Sequence, residues 1–196
     1  MVTNRKIFAS LMLLCLIMNL MLAGESEAAK KRKAKRAPVQ TSESDSVLPK
    51  RGDIAVIVEG DDEQHVKMTE AKIIDSLVKH GHRVVDEAKM KKMKAAAVRA
   101  QAFRLAMQGN YNAIFKLNAS YSCAATVVAR VQAGKPEKNQ FNLFTGNANI
   151  SIIAITSRGT KLGGKTSTSR QVAFTEYETQ VKAIEAAVED GMNQMY

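Results

Sequence analysis

The apolar and polar positions divide the chain into a series of elements. Asp53 to Glu59 is a continuous, largely β-branched run, which predicts a strand buried on both faces. Gly60-Asp61-Asp62-Glu63 breaks it and offers Asp61 or Asp62 as a helix cap. From Gln64 to His80 the apolar residues Val66, Ile73, Ile74, Leu77 and Val78 fall on one helical stripe, and Gly81 is placed to end it. Arg83 to Asp86 predicts a short second strand. A second helix is expected over Lys89 to Gln108, with Met90, Met93, Ala97, Ala100 and Met107 on one face, stopping at Gly109-Asn110.

The period then changes to two. Ala113, Phe115, Leu117, Ala119, Tyr121, Cys123, Ala125, Val127, Ala129 and Val131 occupy alternate positions. That spacing predicts one long, half-exposed strand that bends or breaks near Cys123. Gly134 to Asn139 predicts a turn, and residues 141–157 a strand strongest at Ile150, Ile152, Ile153 and Ile155. Arg158 to Gly164 predicts a second turn, and Thr166 to Phe174 the third strand of a meander. Tyr177, Val181, Ile184, Val188, Met192 and Met195 recur at helical spacing. The order β-α-β-α-β-β-β-α predicts a mixed α/β fold with helices packed on one sheet. Right-handed crossovers make the first strands parallel, and short turns make the later ones antiparallel.

Ahead of this pattern stand Arg5 and Lys6, the apolar run Ile7 to Leu22, and the small polar segment Ala23 to Ala29. That order reads as a secretory signal peptide cleaved after Ala28. The apolar run is 16 residues long and interrupted by Asn19, short of the ~20 that a spanning helix needs. Cys15 lies between leucines and lacks the small residues of a lipoprotein signal. With residues 1–28 removed, Cys123 is the single cysteine, so no internal disulfide can form.

Charge adds a second feature. The 196 residues carry 29 Lys+Arg against 19 Asp+Glu, a net charge of +10. Six of those ten charges are Lys30, Lys31, Arg32, Lys33, Lys35 and Arg36. Ala37 to Pro49 reads as a disordered linker. The expected organisation is a signal peptide at 1–28, a basic tail and linker at 29–49, and a single domain at 50–196. The tail fits either a salt-sensitive contact with anionic lipid or cell-wall polymer, or a purely solubilising role. Aromatic residues are 5% and Trp is absent, so stacking platforms are poorly supplied and no nucleic-acid partner is expected.

Candidate chemistry is sparse. Gly159-Thr-Lys-Leu-Gly-Gly-Lys165-Thr166 fits the G-x-x-x-x-G-K-[ST] phosphate-loop pattern. A phosphate loop needs a helix behind it, yet Ser167 to Phe174 is β-like, so a hairpin turn is the expected reading. Asp61, Asp62, Glu63 and His65 follow the first strand, where open α/β sheets place ligands. Capping and the helix dipole explain them without a metal. His80 and His82 flank the helix end, which favours a proton there, with weak copper or zinc chelation as the alternative. Cys123 is in phase with apolar neighbours and has no adjacent His, which predicts a buried small hydrophobe rather than a nucleophile. No catalytic, metal or cofactor site is expected.

Several segments together carry a family resemblance. They are Ile54 to Val58, the helix end Leu77-Val78-Lys79-His80-Gly81, Arg83 to Asp86, the strand Asn149 to Ile155, the turn at Arg158-Gly159, and the helix from Ala183 to Met195. In this order the chain resembles a group of small bacterial envelope domains. The group includes the amino-terminal domain of TolB, the periplasmic part of the curli secretion channel, lipoprotein activators of penicillin-binding proteins, and flagellar assembly protein T. The resemblance covers residues 50–196 and carries no catalytic motif. It implies a periplasmic or secreted protein acting through contacts with envelope proteins, self-association among them, in flagellar, outer-membrane or similar assembly. The chain departs from lipoprotein members in lacking a lipobox. The alternative is a polyanion-binding protein that uses the tail with Lys89, Lys91, Lys92, Lys94 and Arg99. A phosphate- or nucleotide-binding enzyme at Gly159–Thr166 is the remote alternative.

Overall fold

The β-branched run at residues 53–60 forms strand β1 (Asp53–Gly60), with Ile54, Ala55, Val56 and Ile57 all buried. A computed structural model describes residues 48–196, which lie within the compact unit Ser44–Tyr196. Asp62 caps helix α1 (Glu63–Lys79), its carboxylate accepting the His65 N–H at 3.0 Å. Gly81, at φ +79°, takes the left-handed conformation that ends this helix without a Cβ penalty. The chain continues through β2 (Arg83–Val84), α2 (Glu87–Arg99), α3 (Ala102–Met107), α4 (Asn112–Ser120) and β3 (Ala125–Ala133). It ends with β4 (Glu137–Lys138), β5 (Phe144–Thr156), β6 (Lys161–Ala173) and α5 (Glu176–Met192). The fold is mixed α/β, as the element order predicts.

The strands form one sheet in the order β2-β1-β3-β5, with β6 beyond β5 and β4 beside the start of β5. β1 is parallel to β2 and β3, and β5 is antiparallel to β3 and β6. Helices α1 and α5 cover one face. There Gly191 of α5 meets Ile152, and a Cβ at that position would lie 2.8 Å from Ile152 Cδ1, so a larger residue would require that side chain to shift. Residues alternate across a strand, so Ala148, Ile150, Ile152 and Ala154 face this helix layer and are buried. Each large apolar side chain in this layer contributes about 1.5–3 kcal/mol of burial. The other face of β5 carries Asn147 and Asn149, both exposed.

Three sequence expectations need correction. Residues 113–121 are not the first half of a long strand; they belong to α4 and its carboxyl end. Ile114, Leu117 and Asn118 are its buried residues, whereas Phe115, on the supposed buried face, is 41% exposed. The segment carries both periods, and packing against β3 and β5 selects the helical one. The helix expected over Lys89–Gln108 is two helices, broken at Gln101 with φ +48°. That bend turns Ala102, Phe103 and Ala106 into the core and leaves Ala100 outside. Finally, the expected linker extends to Pro49, but its last two residues belong to the packed domain. Leu48 is 2% exposed and its N–H donates to the Met195 carbonyl, while the Pro49 carbonyl lies 3.2 Å from His82 Nδ1. The signal peptide and residues 29–47 lie outside the described residues. Among the described residues no helix is long and apolar enough to cross a membrane.

One buried polar network ties α4 to the sheet. Asn118 Nδ2 donates to the carbonyls of Ile155 at 3.3 Å and Thr156 at 3.1 Å, and its Oδ1 accepts from the Thr126 hydroxyl. Asn118 and Thr126 are both fully buried, so removing the Asn118 amide leaves the Thr126 hydroxyl without the acceptor it bonds. Asn118→Ala is expected to lower the unfolding free energy by about 2–3 kcal/mol. The check is a drop in urea midpoint with the m-value unchanged.

Candidate interaction surface at the carboxyl ends of the parallel strands

β1 and β3 finish side by side, with Gly60 opposite Val131. Helix α1 starts beside them, and α5 starts after β6 has run to the same end of the sheet. A cleft of about 580 Å³ opens there, lined by the acid Asp61, by His65, and by the amides Gln132, Asn147, Asn149 and Gln180. Asp62 and Glu63 at its margin are already engaged. The His65 N–H, foremost, holds the Asp62 carboxyl below the usual carboxylate range. Glu63 is lowered by its 2.7 Å pair with Lys67. Asp62 and Glu63 thus serve the start of the helix, and His65 supplies the N–H that Asp62 accepts. Among the described residues no group of three or more His, Cys, Asp or Glu is placed to hold a metal ion.

Three aromatic side chains project at this end. Phe141 is 72% exposed, Phe174 79% and Tyr177 60%. Each is held by ordered backbone. Asn139 Oδ1 accepts the N–H of Phe141 at 2.9 Å and of Leu143 at 3.2 Å, fixing the β4–β5 loop. Phe144 pairs with Ala173, which brings that loop beside Phe174 at the end of β6. Thr175 caps α5, accepting the Glu178 N–H at 3.1 Å, and so sets Tyr177 in the first helical turn. Fixed aromatics standing in water are costly unless covered, and they concentrate binding energy when a partner covers them. The sequence placed Tyr177 in the buried stripe and did not single out Phe141 or Phe174. The available signal was a large apolar residue inside a turn and another just past a strand.

The remaining candidates separate. Gly159–Thr166 spans the β5–β6 turn and the first residues of β6, and no helix follows it. Thr156 donates its N–H to the Thr160 carbonyl at 2.9 Å, closing a hairpin. Lys165 lies within β6 and pairs with Asp190 Oδ1 at 2.8 Å. His80 stacks on Tyr196, with ring centroids 3.5 Å apart, and His82 faces the Pro49 carbonyl. Cys123 is buried, and that burial pushes its thiol up, away from the reactive thiolate. Of the basic residues on α2, Lys94 pairs with Glu70 and Lys89 lies 3.9 Å from Asp53, while Lys91, Lys92 and Arg99 are exposed. Lys30, Lys31, Arg32, Lys33, Lys35 and Arg36 lie outside the described residues.

No protein-family model matches the chain, and no curated protein matches it either. Solved structures do. The lipoprotein GNA1162 from Neisseria meningitidis is 16% identical, with a TM-score of 0.46 over 71% of this chain and 96% of that one. The PelC dodecamer from Paraburkholderia phytofirmans is 9% identical, with a TM-score of 0.47 over 76% of this chain and 91% of that one. The carboxyl-terminal domain of LpoB from Salmonella enterica is 6% identical, with a TM-score of 0.35 over 61% and 84% respectively. Bacterial lipoproteins are thus among the structures this chain resembles.

The Lys165–Asp190 pair makes a testable contrast with a phosphate loop. Lys165, foremost, and Ser167 hold the Asp190 carboxyl below its usual range. A depressed carboxylate contributes stability above the ordinary carboxylate range and loses it as pH falls through the lowered value. The difference in thermal midpoint between the unaltered protein and Asp190→Asn should therefore be present at neutral pH and vanish in acid. Equilibrium dialysis should detect no saturable ATP or GTP binding in either. Saturable binding lost in Lys165→Ala would restore the nucleotide reading.

Proposed function

We propose that this chain is an exported, non-catalytic protein of the bacterial envelope whose domain docks partner proteins through its aromatic rim. The observation that carries the reading is the exposure of Phe141, Phe174 and Tyr177 on capped, hydrogen-bonded segments at one end of the sheet. The signal-like amino terminus supports export, and the engagement of Asp62, Glu63, His80, His82 and Cys123 in structural contacts supports a role without catalysis. The partner is an envelope protein with an apolar patch ringed by polar groups, matching the amides of the adjoining cleft.

The test is site-specific photo-crosslinking in the native host. A photoreactive residue at Phe174 should capture a discrete envelope protein, and Phe141→Ala with Tyr177→Ala should remove that product while leaving the thermal midpoint unchanged. Each truncated aromatic should weaken binding by about 1–2 kcal/mol. Val98 is 78% exposed on α2 and serves as the control. Capture at Val98 equal to that at Phe174 would refute docking at the rim.

The clustering of six of the ten net charges within residues 30–36 favours a second, compatible role, a tether to anionic lipid or cell-wall polymer. Each cation near an anionic surface contributes up to about 1 kcal/mol, fading with salt. Deleting residues 29–47, which spares Leu48, should leave the domain's thermal midpoint unchanged and abolish most low-salt binding to anionic vesicles. Undiminished binding by the truncated protein would move the contact to the exposed cations of α2.

A further inference from the structure

The two edges of the sheet are treated differently. β2 covers β1 only at Asp53 and Ile54, and α2 takes over from there. The Val56 N–H, which points out of that edge, donates to Met90 Sδ at 3.4 Å, and Lys94 of α2 pairs with Glu70 of α1. At the other edge β6 runs for 13 residues, and no strand lies beyond it among the described residues.

The direction of its backbone groups follows from the register. Asn147 accepts the Gly134 N–H, so its carbonyl points toward the β3–β4 side. Gly146, Ala148, Ile150 and Ile152 therefore point toward β6, where they meet Gln171, Ser169, Ser167 and Lys165. The N–H and C=O groups of Gly164, Thr166, Thr168, Arg170 and Val172 are left facing outward, and a register shift at Leu162 interrupts the alternation there. Long open edges of this kind are templates for another strand, and proteins protect those they do not use with proline, bulges or charge. Among these five residues there is no proline and only Arg170 is charged, and the bulge of β6 lies at Leu162, outside this run.

We propose that β6 pairs antiparallel with β6 of a second copy, about a two-fold axis at Ser167, making one continuous sheet across a homodimer. Ser167 is the middle residue of the strand, so this register overlaps its full length. It is also self-complementary. Arg170 lies over Gly164 of the second copy, and Thr166 meets Thr168. No cation faces a cation, whereas a two-fold centred on Lys165 would oppose two lysines. On the helix side, Ser167 donates to Asp190 at 2.7 Å, and each Asp190 brings its own Lys165, so the axis is crossed by a neutral cluster. The pairing would add about eight backbone hydrogen bonds. It names a partner for an edge distinct from the aromatic rim, and either can fail without the other.

Sedimentation and light scattering of the exported chain over a concentration series test it. The unaltered protein should show twice the mass of one chain. Thr168→Pro removes an outward N–H and no bond to β5, so it should give single chains with an unchanged circular dichroism spectrum. If that variant loses its fold, a charge pair decides instead, because Thr166 and Thr168 are both exposed. Thr166→Lys with Thr168→Lys opposes like charges twice and should weaken dimerisation at least about tenfold. Thr166→Lys with Thr168→Glu opposes unlike charges and should restore it. A single-chain mass for the unaltered protein at every concentration would overturn the pairing and leave docking at the rim standing. An assembly indifferent to these substitutions would overturn it as well.

Discussion

The close seating of α5 on β5 and β6 is the contact on which the rest of the domain depends. Gly191 sets its backbone against Ile152, and Ala183, Ile184, Ala187, Val188 and Met192 close the layer around it. β5 is the strand that joins the parallel part of the sheet to the hairpin, so fixing α5 on it fixes both halves. The helix also orders neighbouring parts. Glu185 meets Lys72 of α1 at 2.9 Å, and Asp190 anchors Lys165 and Ser167 of β6. The chain leaving the helix brings Met195 under Leu48 and stacks Tyr196 on His80.

An asymmetric sheet follows from this arrangement. One face is fully covered by α1 and α5. On the other, the three short helices α2, α3 and α4 bury Ala55, Ile57, Thr126 and Val128 but stop short of Arg130, Gln132, Asn147 and Asn149. The exposed half is polar as it must be, because a sheet face open to water has to alternate apolar-in with polar-out. The open edge and the aromatic rim border this uncovered half, so the surfaces left for partners are contiguous with the part of the sheet that no helix covers.

The elements legible in the sequence were those with one strong period. β1, α1 and the β5–β6 hairpin lie close to where their residues placed them, and a cap at Asp61 or Asp62 and the stop at Gly81 were readable from side-chain chemistry, with the structure choosing Asp62. The failures share a cause. Residues 113–121 carry apolar side chains at both alternate and helical spacing, and only burial of Ile114, Leu117 and Asn118 against the sheet decides between them. Nothing local at Gln101 announces a left-handed residue, since glutamine has no special tolerance for it. Leu48 looked like the end of a polar linker because its partners, Met195 and the core beneath it, are nearly 150 residues away in the chain. The rim was invisible for the converse reason: an exposed Phe is read as core until the fold shows nothing beside it.

The same reasoning explains why a matching motif and clustered acids did not become a reactive centre. Gly159–Thr166 satisfies a spacing rule, but phosphate binding depends on backbone N–H groups converging at a helix start, and in a hairpin those groups bond across the turn instead. Asp62 has the same limitation in reverse. Its carboxylate sits at a helix start because the helix supplies the N–H it accepts, and that bond already answers the local need for negative charge. A side chain whose hydrogen-bonding capacity is met by its own fold is poorly placed to act on a substrate. The groups this domain leaves open at its surface include backbone amides along β6, amide side chains in the cleft, and three aromatic rings in water. The proposed docking and pairing both draw on these groups.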